Sequence, residues 1–209
     1  MIFSESIRKH LPQYLSGEST KELLKELEAF SSVGTTVAIY SMPYPDDKVI
    51  YQGDGLIALP HFNERKGCLQ LIPSIIISNT CDIEPSNRRK ISKNICYAPL
   101  MKLSSFYEAV KAKFGKEIAD NQIFDIKKQT VTNILYLPQG AKLSEDYIAF
   151  LDKITNTDNK NIDRANLKEE RLFTFSNMGF YLFLLKISIN FTRIQEKVDR
   201  TFTFDSQNN

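Results

Sequence analysis

Only three cysteines, Cys68, Cys81 and Cys96, occur in the 209 residues, and no two of them form a C-x-x-C pair. A set so sparse and odd in number is not a disulfide framework, and it fits a reducing compartment. Histidine is scarcer still. His10 and His61 stand far apart in the chain, so no zinc site is expected. An excess of one charge is also missing, since 27 basic and 25 acidic residues leave a net charge of +2. So even a balance gives no chain-wide attraction to nucleic acid or acidic membranes, and any nucleic-acid surface must be local. Long apolar runs are lacking too. The opening MIFSESIRKHLPQYL has no secretory-signal core. The most apolar segment, Phe180 to Phe191, is interrupted by Lys186, Ser188 and Asn190 and is too short to span a bilayer. No internal repeat or low-complexity linker divides the chain. These absences imply one soluble domain over residues 1–209 in a bacterial cytoplasm, with no membrane partner, cofactor or metal.

What is present is an ordinary globular composition, 42% hydrophobic and 25% charged, enough for one sizeable core. Three zones follow. Residues 4–30 read as helical: Ser19 and Glu22 form a capping-box pattern, and Leu23, Leu27 and Phe30 share a face. Residues 33–137 read as strands with one inserted helix. Runs at 35–40, 48–59, 69–78, 95–99 and 132–137 carry strand signals, and Ser104 to about Ala119 is amphipathic. Gly53 and Gly55 point to a bulge or sharp bend. Ile75-Ile76-Ile77 suits a strand buried on both faces. Pro85, Ser86 and Asn87 mark a turn leading to the returning strand. In the third zone, residues 143–154 are ambiguous between helix and strand, and 167–175 are short and mixed. Ser176-Asn177 then caps a helix reaching about residue 200. Its apolar positions Phe180, Leu184, Ile187, Phe191, Ile194 and Val198 alternate in steps of four and three, the stripe of a helix laid on a core or on a partner helix.

Four places carry candidate chemistry, and each has a plain structural reading beside it. Ser78-Asn79-Thr80-Cys81-Asp82 closes the isoleucine-rich strand, where small polar side chains are held rigidly at a sheet rim. Asn79, Thr80 and Cys81 are candidate binding residues and Asp82 a candidate for proton transfer. Alternatively, Asn79 and Asp82 bond their own backbone in a turn while Cys81 fills space. Asp54, in Gln52-Gly53-Asp54-Gly55, could meet Asp82 across neighbouring strands and bind a cation or share a proton, or be a turn aspartate. Arg88, Arg89 and Lys90, with Lys93, form a basic turn able to touch phosphates or simply to be solvated. Arg193, Glu196 and Arg200 share a helical face, where the arginines could clamp an anion or form surface ion pairs.

The order Gln52-Gly53-Asp54, Leu56-Ile57-Ala58-Leu59-Pro60, Pro73 through Asn79, then Tyr97-Ala98-Pro99-Leu100 resembles the MazF/PemK group of toxins over about residues 50–103. The resemblance implies an α+β fold: a small SH3-like β-barrel with N-terminal helices, an inserted helix and a long C-terminal helix. It implies metal-independent endoribonuclease activity and a partner antitoxin. Ile72 stands where that family has its catalytic arginine, and Met101 where it has its catalytic threonine. Neither can donate a proton or stabilise charge on a phosphorane. A rearranged site would then use Asp54 or Asp82 for proton transfer and Arg88, Arg89 or Arg193 for charge, with Arg65 and Lys66 as further cations. The alternative is a non-catalytic protein-interaction or nucleic-acid-binding module of a toxin–antitoxin or phage-defence system, with the C-terminal helix docking a partner or a second copy.

Overall fold

A computed structural model describes residues 39–41, 48–64, 66–87 and 94–192. The expected helix over 4–30, the basic turn at 88–93 and the helix end beyond residue 192 lie outside the described residues.

The chain forms a mixed α/β structure around a seven-stranded antiparallel sheet. Its strands are β1 (Gly55–Asn63), β2 (Cys68–Ile76), β3 (Asn94–Lys102), β4 (Ile134–Leu137), β5 (Tyr147–Phe150), β6 (Thr155–Asp158) and β7 (Arg171–Phe173). The helices are α1 (Thr80–Ile83), α2 (Leu103–Phe114), α3 (Lys116–Lys127), α4 (Leu167–Glu170) and α5 (Asn177–Thr192). The sheet order is β4-β5-β3-β2-β1-β7, with β6 also on β3. β6 pairs Asn94 to Tyr97 and β5 pairs Leu100 to Lys102, so they act as one strand interrupted at residues 151–154.

The β-branched run at residues 75–77 divides the core as its pattern requires. Ile75 faces a cluster with Leu100, Leu135, Phe173 and the α5 residues Leu182, Phe183 and Leu185. Ile76 faces the opposite cluster, with Ile50, Leu56, Leu59, Ile83, Ile95 and Tyr97. Successive strand side chains alternate faces, so two adjacent isoleucines build two cores. A third cluster, Leu103, Ile126, Ile134, Ile148 and Phe150, seats the α2–α3 hairpin.

Several expectations are corrected. No strand pairing joins β4 to β7 among the described residues, so the sheet is not closed into a barrel. The gap is crossed by a hydrogen bond from Lys142 N to the Leu172 carbonyl and by the Tyr40 hydroxyl donating to the Pro138 carbonyl at 2.7 Å. The single inserted helix is a pair, broken at Gly115, whose φ of 91° a side chain would resist. β1 shifts register between Leu56 and Leu59 against β2 and between Gly55 and Leu56 against β7, so the irregularity expected at the glycines is present at Gly55. Gly53 serves the turn closed by Asp54 N on the Tyr51 carbonyl. Its φ is 89°, and a Cβ there would stand 2.7 Å from the Phe175 ring. The stripe on α5 is rotated from the buried face. Met178, Leu182, Phe183 and Leu185 are buried, while Phe180, Leu184 and Ile187 are only partly covered and Phe191 is exposed. The helix is apolar nearly all round, so spacing alone did not choose the face.

Candidate functional site

Asp54 follows the turn at Gly53 and enters the core between β1 and β7. Its Oδ2 lies 3.2 Å from Arg171 Nε, and neither side chain is exposed. Tyr51 N donates to Oδ2 at 2.9 Å and the Thr174 hydroxyl donates to Oδ1 at 2.7 Å. Arg171 also donates from Nη2 to the Val49 carbonyl. Burial pushes the Asp54 carboxyl up to about 6, against Arg171, Tyr51 and Thr174, which pull it down. The carboxylate therefore faces Arg171, Thr174 and Tyr51, not Asp82. It forms a sealed structural ion pair, out of reach of a substrate. Arg171 was missed in the sequence because it stands in a short, mixed stretch with no periodic signal.

The polar pentad differs from its expected place on an open sheet rim, because Thr80 to Ile83 coil into the single turn α1. Asn79 is its N-cap, accepting from Cys81 N at 3.0 Å. The Ile83 carbonyl at its other end accepts from Arg164 Nη2 at 3.0 Å and Asn159 Nδ2 at 2.9 Å. Ser78 Oγ accepts from Cys96 N at 2.8 Å, and Thr80 Oγ1 accepts from Gln52 N at 2.9 Å. A turn this short persists only through such tertiary clamps. Asp82 is half-buried on it and Cys81 exposed. Ser78 and Thr80 thus use their hydroxyl oxygens to tie the end of β2 to Cys96 and Gln52, while Asn79 caps α1. Arg88, Arg89, Lys90 and Arg193 lie outside the described residues. No group of three or more His, Cys, Asp or Glu among the described residues is placed to hold a metal ion.

The structure instead presents a groove of about 790 Å³ where the β1–β2 hairpin meets β3 and the break between β5 and β6. Its walls include His61, Phe62, Asn63, Gln70, Lys153 and Thr155. The hairpin register places His61 opposite Gln70 and Asn63 opposite Cys68. Asn63 Nδ2 donates to Gln70 Oε1 at 2.8 Å, and Lys153 Nζ sits 4.3 Å from the centre of the Phe150 ring. Phe62 is 64% exposed. His61 is half-buried, with Nε2 2.8 Å from Ser74 Oγ and its ring edge-on to Tyr97 at 5.1 Å. Burial holds its pKa below the ordinary imidazole value. The groove thus offers hydrogen-bonding amides, a cation, an exposed aromatic ring and a half-buried imidazole. The sequence alone assigns His61 no site role beyond excluding zinc, because one histidine in a strand carries no spacing signal.

No model of a known protein family matches this chain, and no curated protein matches it.

Proposed function

We propose that this chain is an RNA-directed protein, as its MazF/PemK resemblance implies, and that single-stranded RNA docks in the groove at the β1–β2 hairpin. The SH3-like character of its sheet, a metal-independent endoribonuclease activity and residence in the cytoplasm belong to the same reading. One observation carries it: exposed Phe62 stands beside Lys153, Asn63 and Gln70 around a cavity of about 790 Å³. An exposed ring stacks on a base whatever its identity, amides read base edges, and an ammonium meets phosphate. The near-neutral chain charge supplies little long-range pull, so binding depends on these local contacts.

The test is fluorescence anisotropy with a short labelled single-stranded RNA, its duplex and the matching single-stranded DNA. The single-stranded RNA binds most tightly. Phe62→Ala weakens it by about 1–3 kcal/mol, the worth of one stacked base. Lys153→Ala weakens it uniformly across sequences. Equal binding by wild type and both variants excludes the groove. Incubation with total RNA, with and without a chelator, reads cleavage, and RNA left intact in every condition removes the nuclease part.

A second reading rests on a different observation. Phe180, Leu184 and Ile187 on α5 pack against the core but are only partly buried, and Phe191 is 61% exposed, so the four-three stripe keeps apolar surface uncovered. Such spacing suits pairing with a second copy of the helix or with an antitoxin-like partner. Light scattering decides it: a dimer that Leu184→Lys converts to a monomer supports pairing, and a wild-type monomer at high concentration excludes self-association.

A further inference from the structure

We propose that His61 is the proton-transferring residue of the groove, fixed by Ser74 as the Nε2–H tautomer so that Nδ1 accepts the 2′-hydroxyl proton of bound RNA; this rests on the RNA-directed reading above.

The proposed tautomer rests on the contacts of Ser74. The Ser74 hydroxyl donates its one proton to the Ile72 carbonyl at 3.1 Å. With its proton on that carbonyl, the hydroxyl accepts from His61 Nε2 at 2.8 Å, and in the proposed tautomer Nε2 carries the hydrogen. Nδ1 is left as the basic nitrogen, and it has no hydrogen-bond partner among the described residues. Ser74 is fully buried, so it orients the ring and is itself no nucleophile. The second restraint is Tyr97, whose ring meets His61 edge-on and whose hydroxyl donates to the Pro60 carbonyl at 2.5 Å. A base oriented by a third group that is not itself reactive is the usual architecture of acid–base sites.

The charged and titratable groups around the imidazole come from each adjoining element. They are Tyr97 from β3, Glu64 from the hairpin turn and Lys153 from the β5–β6 break. Burial, which disfavours the cation, keeps the ring neutral and ready to take a proton at neutral pH. In the step itself, Nδ1 takes the 2′-hydroxyl proton and the 2′-oxygen bonds to the adjacent phosphorus as the bond from phosphorus to the 5′-oxygen breaks. The 5′-oxygen leaves with a proton from water, and the imidazolium returns its proton to the hydroxide so formed. The products are a 2′,3′-cyclic phosphate and a 5′-hydroxyl. Lys153 is the cation that offsets charge building on the phosphorane.

The experiment measures binding and cleavage separately on the full chain, with one fluorescent single-stranded RNA. His61→Gln slows cleavage roughly 10²–10⁴-fold, the range of general base catalysis, and this loss far exceeds any change in anisotropy binding. The wild-type rate rises with pH through a single apparent pKa below that of free imidazole. Ser74→Ala, which releases the ring, displaces that pKa, a change that loss of stability alone does not produce. ¹⁵N NMR of the RNA-free protein shows the hydrogen on Nε2. Cleavage unaltered in His61→Gln, binding without cleavage by wild type, or a hydrogen on Nδ1 each overturns the proposal while leaving RNA binding intact. Wild type that binds no RNA overturns both.

Discussion

Arg171 Nε and Asp54 Oδ2 meet at 3.2 Å in a place where water reaches neither side chain. The pair joins the start of β1 to β7, and Thr174 and Tyr51 complete the carboxylate's hydrogen bonds. Removing one member strands the other's charge, which costs far more than the pair contributes in itself. Asp54→Asn is expected to lower stability by about 3–5 kcal/mol in urea denaturation at neutral pH. The double variant Asp54→Leu/Arg171→Met regains most of that loss. A single-variant loss under about 1 kcal/mol would show that the pair does not hold the strands together.

Lys186 gives a pH dependence of definite sign. It is buried on α5 and donates to the carbonyls of Gln129, at 3.0 Å, and Val131. Burial lowers its pKa to about 8, from 10.5. The unfolded chain then binds the proton more tightly, so this contribution to stability is complete above 10.5 and is lost as pH falls through about 8. The shift is on the order of 3 kcal/mol. Tyr97 acts oppositely: burial raises its pKa from 10.0 to about 12, so its contribution is complete below 10.0 and disappears as pH rises through about 12. Urea midpoints should therefore climb above pH 8, peak near 10 and decline. Lys186→Met flattens the rising limb only. A wild-type curve that is flat or falling between these values would mean that Lys186 stays protonated through folding.

How much of this was legible in the sequence depended on whether a residue's partner was local. The isoleucine run at 75–77 and the Ser176-Asn177 start of α5 speak through their neighbours in sequence, and both elements stand as expected. Asn79 acts on a backbone amide two residues away, so its turn role is visible in the local sequence. Asp54 and His61 are different. Their partners Arg171 and Ser74 lie on other strands, so neither role has a local pattern. The ambiguity of residues 143–154 has a related reason: β5 within them has four residues and is decided by its pairing to β3, while β6, just beyond, has no strand signal of its own.

Two glycines of positive φ separate backbone strain from crowding. Gly53, at φ 89°, has the Phe175 ring 2.7 Å from where a Cβ would sit, whereas Gly67, at φ 63°, has open space. Alanine at either costs about 1–2 kcal/mol for the left-handed backbone. Gly53→Ala must also displace Phe175, so its thermal unfolding temperature should drop clearly further than that of Gly67→Ala. Gly67→Asn should lie close to wild type, since asparagine tolerates that region. Equal losses for the two alanine variants would mean that the turn shifts away from Phe175 at no cost.

The pentad and the groove make opposite predictions, and this separates scaffold from site. Asn79 caps α1 and Thr80 accepts from Gln52 N, so their polar atoms are committed to the fold. Asn79→Ala is expected to cost about 1 kcal/mol of stability, the usual worth of a lost N-cap. Cys81→Ser, on an exposed side chain, should stay within about 0.5 kcal/mol of wild type. Neither should alter RNA anisotropy once the protein is folded. Phe62→Ala and Lys153→Ala should do the reverse, weakening RNA binding with little loss of stability, because Phe62 is largely exposed and Lys153 covers Phe150 from outside. If Asn79→Ala or Cys81→Ser abolishes RNA binding while the urea midpoint holds, the working surface lies at α1, and the groove beside His61 loses its claim.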